Sequence, residues 1–497
     1  VTTADTASTP RIDAVDRPTP PSADVRTGPV IALLVVAAFV VILNETIMSV
    51  ALPRLMEDLA ITAATAQWLT TGFMLTMAVV IPLTGWLLER FNIRTVFFTA
   101  MTLFAVGTFI AAIAPGFGVL LTGRVIQAGG TAIMMPLLFT TVLNVVPPSH
   151  RGRMMGVISI VIAVAPAIGP TVSGIILSAL DWRWMFWIVL PIAVLAIVLG
   201  AIWVKNVTVP QRVRFDVVSV ILSALAFGGL IFGLSSIGEA ASGHVLVPVW
   251  IPLVVGAIAL VAFVWRQLRL QREDRALLDL RTFASSSFSL AVVLVVVAMG
   301  AMFGTLILLP IYLQQVLGLT TLETGLMLLP GGVLMGAIAP VVGSLFDRFG
   351  PRPLVIPGMI VAAAALWGMT TFDESSSVGW IIAVHLALNL GLGFVFTPLL
   401  TSALGSLPRP LYPHGSAIVG TVQQLAGAAG TALFVTVMSV VGASAAESGL
   451  AAVPAMAEGI HVAFIAGASI ALAAVVLACF VRRPAADASG EAPLPVH

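Results

Sequence analysis

The sequence predicts an all-α membrane protein: fourteen transmembrane helices forming two pseudo-symmetric six-helix bundles, with a two-helix insertion between them. Three observations predict it. Apolar residues make up 59% of the 497-residue chain and charged residues 9%, too little charge to cover a water-soluble core of that length. Long apolar runs, each near the roughly 20 residues that span a bilayer, recur along the chain, and they must be helical because open strands leave backbone groups unpaired in lipid. A ten-residue loop pattern also occurs twice, 258 residues apart (343 − 85).

Taken in order, residues 1–28 are polar and rich in Pro and Thr, with no apolar core behind positive charge. They are expected to be a disordered cytoplasmic tail, not a signal peptide. The first bundle, 29–205, holds helices near 30–51, 66–88, 95–115, 118–143, 155–179 and 183–203. Arg90 and Arg94 follow its second helix, Arg151 and Arg153 its fourth, and Lys205, the only Lys, its sixth. Helices near 216–236 and 246–265 form the insertion, which with the basic stretch 266–285 fills 206–285. The second bundle, 286–482, holds helices near 286–311, 323–346, 354–372, 378–403, 415–441 and 460–481, and 483–497 is a second cytoplasmic tail. With both termini cytoplasmic, nearly all Arg fall on inside segments, while the outside loops hold Arg54 and Arg183 beside Glu57, Asp58, Glu239, Glu323, Asp373, Glu374, Glu447 and Glu458; that asymmetry sets the orientation. The stretch 266–285 is the most basic inside loop, with orientation and contact with anionic headgroups as its expected role. The dominance of Arg over Lys and Val at position 1 in place of Met point to a translated GC-rich bacterial sequence, hence to the bacterial cytoplasmic membrane.

The duplicated loops read Gly85-Trp-Leu-Leu-Glu89-Arg90-Phe-Asn92-Ile-Arg94 and Gly343-Ser-Leu-Phe-Asp347-Arg348-Phe-Gly350-Pro-Arg352. Gly lets a helix end turn and pack closely. An acid beside Arg can pair with it, or sit against the positive N-terminus of a neighbouring helix. Such contacts can be made in one conformation and broken in another. The shift also carries Arg151 to Arg409 and Gly169 to Gly427. Membrane transporters are built from such repeats, with the site between them near the midplane.

Glu45 lies in a run that crosses the bilayer, where a charge costs about 2.5–3.5 kcal/mol on insertion scales. The other deep charge is Arg124. On the expected helix ends each sits six residues, about 9 Å, below the outer surface, so the two are natural partners and Glu45 reads as a proton and substrate site. The alternative is a neutral, hydrogen-bonded Glu that only ties helices together. Gln67, Gln127, Gln314, Gln315, Asn389, Gln423 and Gln424 can line a cavity or bridge helices, and His385 reads as a hydrogen-bonded group. Trp68, Trp182, Trp184 and Tyr312 fall near predicted interfaces, where belt anchoring is their default. The eighteen Met are scattered, most for packing, though flexible Met suits promiscuous binding.

The paired loops resemble the signature loop of the major facilitator superfamily. Leu121-Thr-Gly-Arg124-Val-Ile-Gln127-Ala-Gly129 resembles its fourth-helix motif, whose Arg is associated with proton coupling. Ala165-Pro166-Ala-Ile-Gly169-Pro170-Thr-Val-Ser-Gly174 resembles the fifth-helix motif of antiporters. Thr46 to Pro53, Trp182 to Phe186, Tyr312 to Gln314 and His414 to Ser416 are similar to segments of the fourteen-span drug/proton antiporters. The first-helix Asp usual there is Asn44 here, with Glu45 beside it; one residue turns the carboxylate by about 100° around the helix. Asn92 stands where Gly is usual, and tolerates a left-handed conformation. Gly169-Pro170 is expected to kink its helix.

The resemblance implies proton-coupled export of amphipathic, cationic compounds by alternating access. Glu45, Arg124, Asn44 and Gln127 would couple protons to substrate. Gly85, Glu89, Arg90, Arg94, Gly343, Asp347, Arg348, Gly350 and Arg352 would form the conformational gate loops, and Pro166, Gly169, Pro170 and Gly174 the antiporter helix. Export of a lipid or hydrophobic metabolite is the alternative. The expected partners are a small amphipathic substrate, protons and the bilayer, with the chain a monomer. A net charge of +1 argues against nucleic acid, a single Cys excludes an internal disulfide, and the six His show no metal-ligand spacing. No nucleophile and base cluster lies in the spans, as an enzyme would need; the expected energy source is the proton gradient, with no cofactor.

Overall fold

The computed structural model describes residues 27–206, 210, 215–241 and 247–482. The expected tails lie outside the described residues, except that Thr27 and Gly28 begin the first helix; so do Arg212, Arg214 and Arg483, and the side chains of Gln67, Pro170 and Glu239. The described residues form α1 (Thr27–Asp58), α2 (Ala63–Arg90), α3 (Ile93–Ala112), α4 (Phe117–Val145), α5 (Arg151–Ala179) and α6 (Trp184–Trp203). The insertion follows as α7, built from Val217–Ser223 and Gly229–Ala241 joined by a π turn, and α8 (Trp250–Leu270). Then come α9 (Ser286–Ile311), α10 (Thr321–Phe349), α11 (Arg352–Met369), α12 (Val378–Gly405), α13 (Tyr412–Glu447) and α14 (Ala452–Ala478). Thirteen of them are long and apolar enough to cross a membrane, and α5 makes fourteen if its bent halves are one span. The bend is 44°, between Pro148–Pro166 and Thr171–Ala179, where Gly169-Pro170 placed a kink.

Helix ends depart from hydropathy where a helix leaves the apolar region without unwinding. The first helix runs on to Asp58, stabilised by Arg54 ion pairs one turn away to Glu57 (3.8 Å) and Asp58 (3.4 Å). Glu45 is therefore thirteen residues from its helix end (58 − 45) rather than six. Helix α13 starts at Tyr412, three residues before the expected 415, because Pro413 in its first turn needs no hydrogen bond there. Ala-rich ends carry α13 to Glu447 and start α14 at Ala452, eight residues before 460.

Charged ends are tied within each half. Arg94 donates to Ala201 O (3.0 Å) at the end of α6, and Arg352 to Cys479 O (2.8 Å) just past α14. Cations at helix C-termini satisfy the last carbonyls and the dipole. These two Arg of the gate loops are thus caps within a half. Gly350 ends α10 at φ 80°, a conformation that favours Gly. Asn92 does not copy it: at φ −63° and ψ 147° it is extended, so the first loop keeps its place with different backbone geometry.

The insertion packs against α2 and α13, with Trp68 stacked on Phe232 at 5.9 Å. Arg266 binds both carboxylate oxygens of Asp216 at 2.8 Å, and this hydrogen-bonded pairing holds the Asp216 carboxyl down at about 2. Buried Gln267 donates to Ser219 Oγ (2.7 Å) and accepts from Leu277 N (2.7 Å). In the basic stretch that follows, Arg281 pairs with Asp279 and Asp274, and Arg275 with Glu273. Part of its positive charge is balanced internally by these pairs. Two aromatic expectations also change. Trp182 is fully buried, with Arg183 4.2 Å over its ring, and buried Tyr312 donates to Asp373 O at 2.6 Å; neither is a belt anchor.

Candidate functional site

The two halves meet most tightly at the end that carries the duplicated loops. Asp347 accepts from the backbone N–H of Gly152 (2.7 Å) and Arg153 (2.9 Å), so its carboxylate caps the start of α5. That is where a negative charge is favoured. A β-carbon at Gly152 would lie 2.5 Å from both Asp347 Oδ1 and Gly343 O, so this approach requires Gly. In the other repeat Glu89 meets His414 Nε2 (2.9 Å) in the first turn of α13. Arg151 crosses the same seam to Tyr412 OH (3.1 Å) while donating to Leu143 O (2.8 Å) at the end of α4. Two buried hydroxyl pairs lie deeper, Thr140 to Ser416 (3.2 Å) and Thr397 to Ser159 (2.8 Å). They are related by one shift of 257 (397 − 140 and 416 − 159). The loop-bearing end is closed. Of the gate residues, Gly85, Glu89, Gly343 and Asp347 lie at this seam, whereas Arg90 and Arg348 are exposed.

Inward from the seam a cavity of about 150 Å³ lies between the halves, lined from α1, α2, α4, α5, α9 and α13. Five of the eighteen Met in the chain face it: Met77, Met134, Met135, Met299 and Met302. Such unbranched, polarizable side chains fit ligands of varied shape. Glu45 is the one charged residue in its lining; Gln423 and Gln424 lie in the α13 wall, and Gln423 Nε2 is buried without a hydrogen-bond partner among the described residues. A second cavity of about 360 Å³ shares Thr46, Ile162, Pro166, Met302, Phe303 and Leu306 with the first and continues between α5, α9, α10 and α12, away from the closed end.

The expected Glu45–Arg124 pair is not formed: no ion pair within 4.0 Å joins them among the described residues. Arg124, 1% exposed, donates instead to Asn44 Oδ1 (3.1 Å) and Gln127 Oε1 (2.7 Å). Gln127 passes the chain on to Thr108 (2.7 Å), which donates to Phe104 O (2.6 Å). The guanidinium also sits 4.1 Å from the Phe73 ring centroid, a cation–π contact. Asn44 thus faces Arg124 while the step of about 100° sends Glu45 into the cavity. The structure joins Asn44, Arg124 and Gln127 in one buried network and leaves Glu45 beside it, on the cavity side. Sequence reasoning missed Phe73 and Thr108, which carry no motif signal.

The antiporter helix divides similarly. Pro166 lines both cavities. Gly169 packs on Thr46 of α1, where a β-carbon would overlap the Thr46 side chain, and Gly174 is exposed with open space beside it.

A profile of the Major Facilitator Superfamily matches residues 34–431. The chain belongs to this superfamily. It is therefore a multi-pass membrane transporter and not an enzyme. It is 43% identical over 464 residues to the lincomycin resistance protein LmrB of Listeria monocytogenes, covering 92% of this chain and 98% of that protein. It is 32% identical over 414 residues to the multidrug resistance protein B homolog of Mycobacterium tuberculosis, covering 82% and 75%. Its fold is similar to that of the human organic anion transporter MFSD10, with a TM-score of 0.67 at 14% identity, covering 91% and 99%.

Proposed function

We propose that the protein is a proton-coupled antiporter of the bacterial cytoplasmic membrane that exports amphipathic monocations, antibiotics among them. The observation that carries this reading is a lone carboxylate, Glu45, in the wall of a Met-lined cavity between the two halves. An acid there binds either a proton or a cationic group, and the two compete. Competition at one site is enough for exchange when the site faces the two sides of the membrane in turn. Arg124 beside it is held by the neutral partners Asn44 and Gln127. Lincomycin and multidrug resistance in the relatives' names support export of drugs. With the Arg-rich loops inside, the closed end is cytoplasmic and the cleft runs toward the outside.

Purified protein in liposomes with an imposed pH gradient tests the reading. Lincomycin and tetraphenylphosphonium should move against the proton flow, and collapsing the gradient should stop them. Movement of labelled phospholipid with neither drug transported would favour the lipid-export alternative. Orientation is tested separately: a single cysteine at Ser375, on a background lacking Cys479, should react with an impermeant reagent in intact cells. Reaction only after permeabilisation would invert the topology.

A further inference from the structure

The second cavity carries polar chemistry that proton exchange at Glu45 does not use. Thr305 of α9 and Thr324 of α10 both line it, and each is 3% exposed. Neither hydroxyl has a hydrogen-bond partner among the described residues. Buried Thr108, Thr131, Thr141, Thr401 and Thr421 instead return theirs to the carbonyl one turn back. A buried hydroxyl without a partner is unfavourable. Across the same cavity, His385 Nε2 lies 3.2 Å from Leu328 O, and Asn389 Nδ2 lies 2.9 Å from His385 O. With Nε2 donating to that carbonyl, His385 Nδ1 is an acceptor with Asn389 Nδ2 3.5 Å away, and Asn389 keeps its Oδ1. The lining holds no Asp, Glu, Lys or Arg. It therefore offers directional hydrogen bonds to a neutral group and no charge for an ion.

We propose that Thr305, Thr324, His385 and Asn389 form a subsite for a neutral, polyhydroxylated part of the substrate, such as a sugar ring. Resting on the reading of Glu45 as the cation site, this assigns a two-part ligand. Its amine sits in the first cavity and its hydroxyl-bearing arm in the second, with the chain between them passing Thr46 and Phe303, which line both. A ligand hydroxyl both donates and accepts, so it can satisfy Thr305 and Thr324 whichever way their protons point. Apolar cations would bind through the first cavity alone.

Equilibrium binding to purified protein separates the two parts. Lincomycin, a monoamine joined to a hydroxyl-bearing sugar, is compared with tetraphenylphosphonium, a cation with no hydrogen-bonding group. The double variant Thr305→Val, Thr324→Val keeps side-chain shape and removes two hydroxyls that have no hydrogen-bond partner among the described residues, so folding is retained. It should weaken lincomycin about tenfold, the loss of two hydrogen bonds, and leave tetraphenylphosphonium within about twofold. Thr305→Ser with Thr324→Ser should restore most of the loss, and Asn389→Leu should act in the same selective direction. Equal weakening of both ligands, or no weakening of lincomycin, would overturn the subsite. Glu45→Gln should weaken both ligands. If it weakens neither while the threonine variant stays selective, the Glu45 reading fails and the subsite stands.

Discussion

Glu45→Gln should abolish export driven by a pH gradient. The amide keeps the reach and hydrogen bonding of the carboxylate but takes up no proton, so nothing couples the gradient to the cleft. The variant should fold and reach the membrane, because a neutral amide is cheaper to bury than a carboxylate. Affinity for a monocation should fall about ten- to hundredfold, the range for losing a charge-assisted contact. Binding that depends on pH in the wild type should become independent of it. Flux in liposomes at imposed pH, beside binding in detergent, reads both effects. The Asn44–Arg124–Gln127 network should survive, since Glu45 is not one of its partners.

Gly152→Ala should uncouple binding from turnover. The added methyl collides with Asp347 and with Gly343 O, which are parts of the closed seam, while both cavities lie elsewhere. Overpacking costs roughly 1–3 kcal/mol, a bias of about 5- to 150-fold against the closed state. Export should fall tenfold or more, about the middle of that bias, with substrate affinity little changed. Asp347→Asn should act in the same direction and more weakly, because an amide oxygen still accepts from Gly152 N–H but carries no charge for the start of α5. Spin labels at Arg90 and Arg348, both exposed beside the seam, should report a longer distance in Gly152→Ala. An unchanged distance with unchanged flux would remove the seam from the transport cycle.

How far the sequence led is clearest at these residues. The membrane fold was legible because hydropathy and Arg placement are strong one-dimensional signals. The repeated loops pointed to the ends of α2 and α10 because both carry an acid followed by Arg at the same place. What the acids do there was not legible. Asp347 caps a helix from the other half and Glu89 meets His414, and each contact depends on how two bundles dock. The Arg94 and Arg352 caps were hidden for the opposite reason, since their carbonyl acceptors can belong to any residue type. Glu45 and Arg124 could be found as deep charges. Their separation could not, because a single residue of helical phase decides whether the carboxylate faces the guanidinium or the cavity. Thr305 and Thr324 look like ordinary helix threonines until the structure shows that their hydroxyls make no return bond.

Exchange at Glu45 requires that one carboxylate hold a proton or a cation but not both. Its most direct test is proton release on ligand binding, followed with a pH indicator in weakly buffered detergent solution. Adding tetraphenylphosphonium to the wild type should release protons at a pH where the empty site is protonated, and Glu45→Gln should release none while still binding some ligand. Cation binding by the wild type without proton release, at any pH where the protein stays folded, would contradict the account, as would equal release from Glu45→Gln.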